Sequence, residues 1–257
     1  MITMTPTEKL TGITIKGDYH DFYDLVDSIY RITTEEEDII DPYYGVKLML
    51  LGLCYDIRHA SMGDREIELI KNGMNEEKME WLKIDTPTNN VYYSVNVLFP
   101  HAIFLATAVP ELYYEAYKFY GTEAKRKGIV GDLPSFKFSQ YKRDVANLDV
   151  LCAWIWEALG EAIGEDELKK IIRLKELEVE NFEDYMIHYI DKCNIELIKT
   201  APEKRKTKLK NIAKRIVKRP RAYYSLEEDL FEASRLYNAS VYDLRNPEHD
   251  LPENWEW

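Results

Sequence analysis

Along this chain, apolar and polar residues alternate in three short segments and follow helical spacing almost everywhere else. Gly12-Ile-Thr-Ile-Lys-Gly17 sets Ile13 and Ile15 on one side and ends in glycine, the pattern of a half-buried strand closed by a turn. Val91, Tyr93, Val95, Val97 and Phe99 alternate with Tyr92, Ser94 and Asn96, which predicts the clearest strand in the protein. Residues 65–71 place Ile67 and Leu69 against Glu66 and Glu68 ahead of an Asn72-Gly73 turn, a third strand. Residues 75–82 fit a short capped helix or a returning strand.

Helices are expected between these segments. After Asp18, an N-cap with Asp21 as its capping-box partner, Phe22, Leu25, Val26, Ile29 and Tyr30 recur at steps of three and four. Asp41-Pro42 supplies an N-cap and a first-turn proline for a second helix that Gly63 ends. Its Val46, Leu48, Met49, Leu50, Leu51, Leu53, Cys54 and Ile57 are apolar nearly all round, so it is expected at the centre of the core. A helix over 100 to about 120 follows, with Pro110 a candidate break, and the basic stretch 125–131 reads as a connection. From 135 onward only helical periodicity remains, near 139–163, 165–200, 203–218 and 225–244. The second of these carries a seam of Val179, Phe182, Met186, Tyr189 and Cys193, and the last opens with the capping box Ser225-Leu-Glu-Glu228. The class is α+β: a domain over residues 1–133 with a small mixed sheet and packed helices, then an all-helical domain over 134–257.

Composition narrows the classes. The chain has 257 residues, 46% hydrophobic and 31% charged, with 11 glycines and 10 prolines, which excludes collagen-like, low-complexity and wholly disordered proteins. The first ten residues show no export signal. The longest uncharged stretch, 86–110, carries Asn89, Asn90, Ser94, Asn96, Pro100 and His101, too polar for a bilayer span of about 20 apolar residues. Cys54, Cys152 and Cys193 are dispersed among apolar residues and read as buried thiols, not as a disulfide framework or a zinc site. A cytoplasmic protein is expected, and no motif names a cofactor.

Charge is distributed unevenly. The net charge is −12, yet residues 202–221 hold Lys204, Arg205, Lys206, Lys208, Lys210, Lys214, Arg215, Lys218, Arg219 and Arg221 against Glu203 alone. That is +9 locally and −21 elsewhere. Leu209, Ile212, Ala213, Ile216 and Val217 follow helical spacing, so the segment is an amphipathic helix with a basic face. Such a face suits an acidic protein partner, another subunit, or nucleic acid with Tyr223 and Tyr224 stacking on bases. The alternative is neutralisation within the protein by Glu176, Glu178, Glu180, Glu183, Asp184 and Asp191. A membrane surface does not fit, because the apolar stripe has no Trp or Phe anchor.

The densest polar cluster lies at the junction of the second helix and the third strand, where Asp56, Arg58, His59, Asp64, Arg65 and Glu66 fall within eleven residues. On a helix Asp56 and His59 are neighbours at i, i+3, so the carboxylate can orient the imidazole as a general base. Asp64 and Glu66 can add metal ligands, with Arg58 or Arg65 clamping an anion. The structural reading is that Arg58 and His59 complement the helix dipole and that Asp64 pairs with Arg65 across the turn. Gly17-Asp18 links a strand to a helix start, but Asp18 and Asp21 would repel a phosphate there. His20, His101, His188 and His249 stand alone.

Residues Leu10-Thr-Gly-Ile-Thr-Ile-Lys-Gly-Asp-Tyr-His-Asp21, Gly52-Leu-Cys-Tyr-Asp-Ile-Arg-His59, Gly63-Asp-Arg-Glu66 and Val91-Tyr-Tyr-Ser94 resemble an uncharacterised bacterial protein family. The resemblance covers about the first 120 residues and implies a bacterial cytosolic domain with no assigned activity. Two functions are expected. One is a regulatory or interaction protein using the helical half and the basic face formed by Lys204, Arg205, Lys208, Lys214, Arg215, Lys218 and Arg219. The other is a metal-dependent phosphodiester hydrolase with His59, Asp56, Asp64 and Glu66 as bases or ligands and Arg58 and Arg65 binding the substrate.

Overall fold

The structure is a computed structural model and describes residues 2–33, 41–120, 126–128, 131–133, 138–177, 181–252 and 254–257. Strands β1 (Thr3–Pro6) and β2 (Gly12–Gly17) lead into helix α1 (Tyr19–Thr33). The capping box forms as the sequence predicts: the Asp21 N–H donates to Asp18 Oδ1 at 2.9 Å and the Asp18 N–H to Asp21 Oδ2 at 3.1 Å. Helix α2 (Tyr44–Ser61) starts two residues after the expected proline. Asp41 instead accepts the Tyr43 N–H in a local turn, so its carboxylate does not cap the helix. Gly63, at φ +90°, reverses the chain into β3 (Glu66–Lys71). Helix α3 (Glu76–Leu82), capped by Asn75, and strand β4 (Asn89–Leu98) follow.

The sheet order is β1-β2-β4-β3 and every pairing is antiparallel, where a mixed sheet is expected from the sequence. Ile13 faces Val97 and Ile15 faces Val95, so the alternating residues of β2 and β4 share one buried face. Gly12 is required there, because a Cβ would lie 2.1 Å from the Val97 carbonyl oxygen and 2.9 Å from the Trp257 ring. β3 is an open edge whose six residues are all exposed, and α3 buries none.

Helix α4 (Phe99–Tyr120) holds the centre of the core, the place the sequence suggests for α2. Phe99, Ile103, Phe104, Leu105, Val109 and Leu112 are buried on all sides of it, whereas Leu48 of α2 faces solvent. Pro110 lies inside α4 without breaking it. The small hairpin of β5 (Arg126–Gly128) and β6 (Gly131–Leu133) occupies part of the expected connection. Next come α5 (Phe138–Ile163), α6 (Glu165–Leu177), α7 (His188–Ile198), α8 (Pro202–Lys218) and α9 (Arg221–Tyr237). α5 packs on α1, α4 and β1, and α8 packs on α4, α5, α6 and α7, so residues from both halves join one buried apolar cluster.

The single helix expected over 165–200 is broken. Asp184 takes a left-handed φ of 51° and its N–H donates to the Pro42 carbonyl at 2.6 Å. Phe182 stacks on Tyr185, which sits against Phe104 and Tyr223, with the Arg219 guanidinium 5.3 Å from the Phe182 and Tyr185 rings. Burying this aromatic group outweighs the helical preference of the segment. Phe182, Met186, Tyr189 and Cys193 are buried as the seam predicts, but from a loop and a helix. The capping box at Ser225 is not used, since α9 begins at Arg221 after an extended Pro220. Val179, Glu178, Glu180 and the acidic run Glu35 to Asp38 lie outside the described residues. Among the described residues no helix is long and apolar enough to cross a membrane.

Candidate functional site

The polar cluster is built by the end of α2. The Met62 and Gly63 N–H groups bond back to the last turn and the Asp64 N–H donates to the His59 carbonyl at 3.0 Å, which folds the segment tightly over the helix end. His59 Nδ1 lies 2.8 Å from Asp64 Oδ2 and its ring sits 4.3 Å from that of Tyr55. Arg65 reaches Asp56 at 3.4 Å, and Arg58 Nη1 donates to the Tyr30 hydroxyl at 3.0 Å. The expected pairs are thus exchanged: Asp64 orients His59, and Arg65 takes Asp56. Among the described residues no three His, Cys, Asp or Glu side chains gather as a metal would need.

Asp56, Asp64, Arg65 and Glu66 nevertheless line a cleft of about 880 Å³. Glu66 stands opposite Ser94 on β4, and Met49 and Asp56 lie two turns apart on α2, so strand and helix form adjoining walls. The remaining walls come from His101 of α4, Asp191 and Asn194 of α7, and Leu251, Trp255 and Trp257 at the end of the chain. His59 is not among the lining residues, and Arg58 borders a separate groove of about 290 Å³ beside Tyr19, Tyr23 and Tyr30.

The electrostatics of the cleft follow from burial. His101 Nε2 lies 3.1 Å from the Met49 carbonyl, and burial holds its imidazole below the usual pKa despite that bond. Burial raises the Asp191 carboxyl, and the neighbouring His188 offsets this only partly. Asn194 is 4% exposed and its Oδ1 has no hydrogen-bond partner among the described residues; the Trp255 indole N–H is likewise buried without one. Sequence reasoning missed His101, Asp191, Asn194, Trp255 and Trp257 as a group. The legible trace was Asn254-Trp-Glu-Trp257, two tryptophans in a polar terminal segment, and the i, i+3 spacing of Asp191 and Asn194.

The basic helix α8 divides into three sets of cations. Arg205 turns inward and is 4% exposed. Its guanidinium donates to Thr200 O at 2.9 Å, Thr11 Oγ1 at 2.7 Å, Lys9 O at 3.1 Å, and Glu256 O and Ile198 O at 3.3 Å. Thr11 Oγ1 also donates to Glu256 O at 2.6 Å, and the Lys9 N–H to Trp257 O at 2.9 Å. Arg205 thereby anchors the segment that carries the two tryptophans of the cleft. Lys208 and Arg215 pair with Glu196 of α7, and Lys214 with Glu167 of α6. Glu196 and Glu167 thus neutralise three cations of α8 from the two preceding helices. Arg219 sits in the aromatic group, and Tyr223 is buried with its hydroxyl accepting the Met186 N–H, so it is not free to stack on a base. Lys204, Lys206 and Lys218 face solvent, and Lys199, Lys204 and Lys208 border a shallow groove of about 630 Å³.

The family model described as a domain of unknown function (DUF6904) matches residues 2–257, running through the helical half as well as the first 120 residues. No curated protein and no solved structure matches the chain.

Proposed function

We propose that this chain, which belongs to the DUF6904 family of domains of unknown function, is a non-catalytic binding protein whose ligand occupies the cleft between α2, β4, α7 and the tryptophan-bearing C-terminal segment. The observation that carries the reading is the amide of Asn194. A buried polar atom without a partner costs about 1–3 kcal/mol, and a donor on a ligand in the cleft would remove that cost. The hydrolase reading has weaker support, because His59 does not line the cleft and His101, which burial holds below its usual pKa, is engaged by the Met49 carbonyl.

Asn194→Leu tests this without knowledge of the ligand. If the amide serves binding, the unliganded variant is as stable as the parent or more so, since an apolar side chain of similar size removes an unpaired group. A loss above about 1 kcal/mol in urea unfolding would assign the amide a structural role and end the proposal.

A second reading, contact of α8 with an acidic protein partner, is supported by the groove of Lys199, Lys204 and Lys208. Changing Lys204, Lys206 and Lys210 to Glu should abolish such binding. Binding that survives this change, or that is insensitive to salt, removes the basic face from the account.

A further inference from the structure

Resting on the cleft as the binding site, we propose that its ligand is an organic cation, an ammonium or guanidinium group carried beside a neutral hydrogen-bond acceptor, as in an arginine or lysine amide. The sign of the charge comes from the walls. Asp56, Asp64, Glu66 and Asp191 face the cleft; Arg65 leans on Asp56 and His59 on Asp64, which leaves Glu66 and Asp191 as its carboxylates without an ion-pair partner among the described residues. An anion would meet repulsion from several carboxylates, whereas a cation meets attraction that low-dielectric walls strengthen. Asp191 has most to gain, since burial raises its carboxyl and its own surroundings compensate this only in part.

The polar atoms specify more than charge. Asn194 Oδ1 needs a donor, and the N–H groups of an ammonium or guanidinium supply one. The Trp255 indole N–H needs an acceptor, which a bare amine lacks and an adjoining carbonyl provides. The rings of Trp255 and Trp257 stand 5.3 Å apart at 58°, an aromatic corner of the kind that receives a planar or alkylated cation over a ring face. The buried Arg205 fixes the backbone of that corner through Glu256, so the tryptophan wall is preorganised and not assembled on binding.

The test titrates the full chain with N-acetyl-argininamide, its neutral glutamine analogue and its anionic glutamate analogue, following tryptophan emission and heat. The arginine amide should bind saturably, the glutamine and glutamate amides should not, and Asp191→Asn should weaken binding about tenfold or more. Glu66→Gln, on the exposed rim, gives a smaller loss and serves if Asp191→Asn fails to fold. An arginine flanked by further residues that binds about tenfold tighter than the amide identifies a protein side chain as the source, and equal affinity identifies a small molecule. Saturable binding of the glutamate amide, sensitive to Asn194→Leu, overturns the cation assignment while leaving the cleft reading intact. No saturation by the arginine amide, or full affinity in both acidic-site variants, also overturns it.

Discussion

Replacing Arg205 with methionine keeps the length of a side chain that is 4% exposed but removes five donated hydrogen bonds. Three of them, to Thr11 Oγ1, Thr200 O and Lys9 O, are 2.7–3.1 Å long and hold segments far apart in sequence. Leaving each of these acceptors unpaired costs about 1–2 kcal/mol, and the two longer bonds add little. Relief from burying a guanidinium whose described partners are all neutral offsets part of that loss, so the net destabilisation should be about 3 kcal/mol, a large share of the roughly 5–15 kcal/mol that holds a typical domain. Lysine should recover less than half, because a single ammonium cannot span acceptors arranged around a planar fork. Urea unfolding followed by circular dichroism measures the loss, and the emission of Trp255 and Trp257 should shift to the red as their segment detaches. A double-mutant cycle with Thr11→Val should show a coupling of about 1 kcal/mol. A loss below about 1 kcal/mol, with tryptophan emission unchanged, would refute the clamp.

Asp144, fully buried between α1 and α5, accepts from Arg31 at 2.8 and 2.9 Å, from Ser28 and from Gln140; Asp144→Ala should cost about 3–5 kcal/mol, and a smaller loss by thermal unfolding would mean α5 docks without it. The carboxylates that pair with α8 predict an acid limb. Hydrogen bonds from Lys170 and Lys214 hold Glu167 down to about 2, and at Glu196 burial is outweighed by Lys208 and Arg215, which lower it too. Both pKa values are depressed on folding, so this stabilisation is complete above the ordinary 4.5 and disappears as pH falls towards 2; Lys214→Met should flatten the limb in a melting profile. Burial pushes the thiols of Cys54, Cys152 and Cys193 up to about 12, so a thiol reagent should label none of them in the native protein and all three after unfolding.

Local chemistry was legible where it had little competition. The Asp18–Asp21 capping box, the alternation of β2 and β4, the glycine stop after α2 and the amphipathic α8 all depend on residues within a few positions of one another. The break between α6 and α7 was not legible, because helical spacing at 182–193 and burial in an aromatic group place the same residues inside. Asp56, Asp64, Arg65 and Glu66 were found as a cluster and do border the cleft, but helical spacing paired Asp56 with His59 and the turn paired Asp64 with Arg65, whereas the fold exchanges the partners.

The sequence by itself determined the α+β class, most element positions and the excess of cations on α8, since each is set by local periodicity and composition. Only the tertiary structure decided what those cations do. Whether Arg205 meets solvent or a buried ring of carbonyls depends on Thr11 and Glu256, 194 and 51 residues away. The same holds for the cleft, whose Asn194, Asp191 and tryptophans reach Asp56 only when α7 and the end of the chain close against β4 and α2. Charge and hydrogen-bonding capacity are properties of residues, whereas the desolvation that makes them consequential is a property of what the fold packs around them.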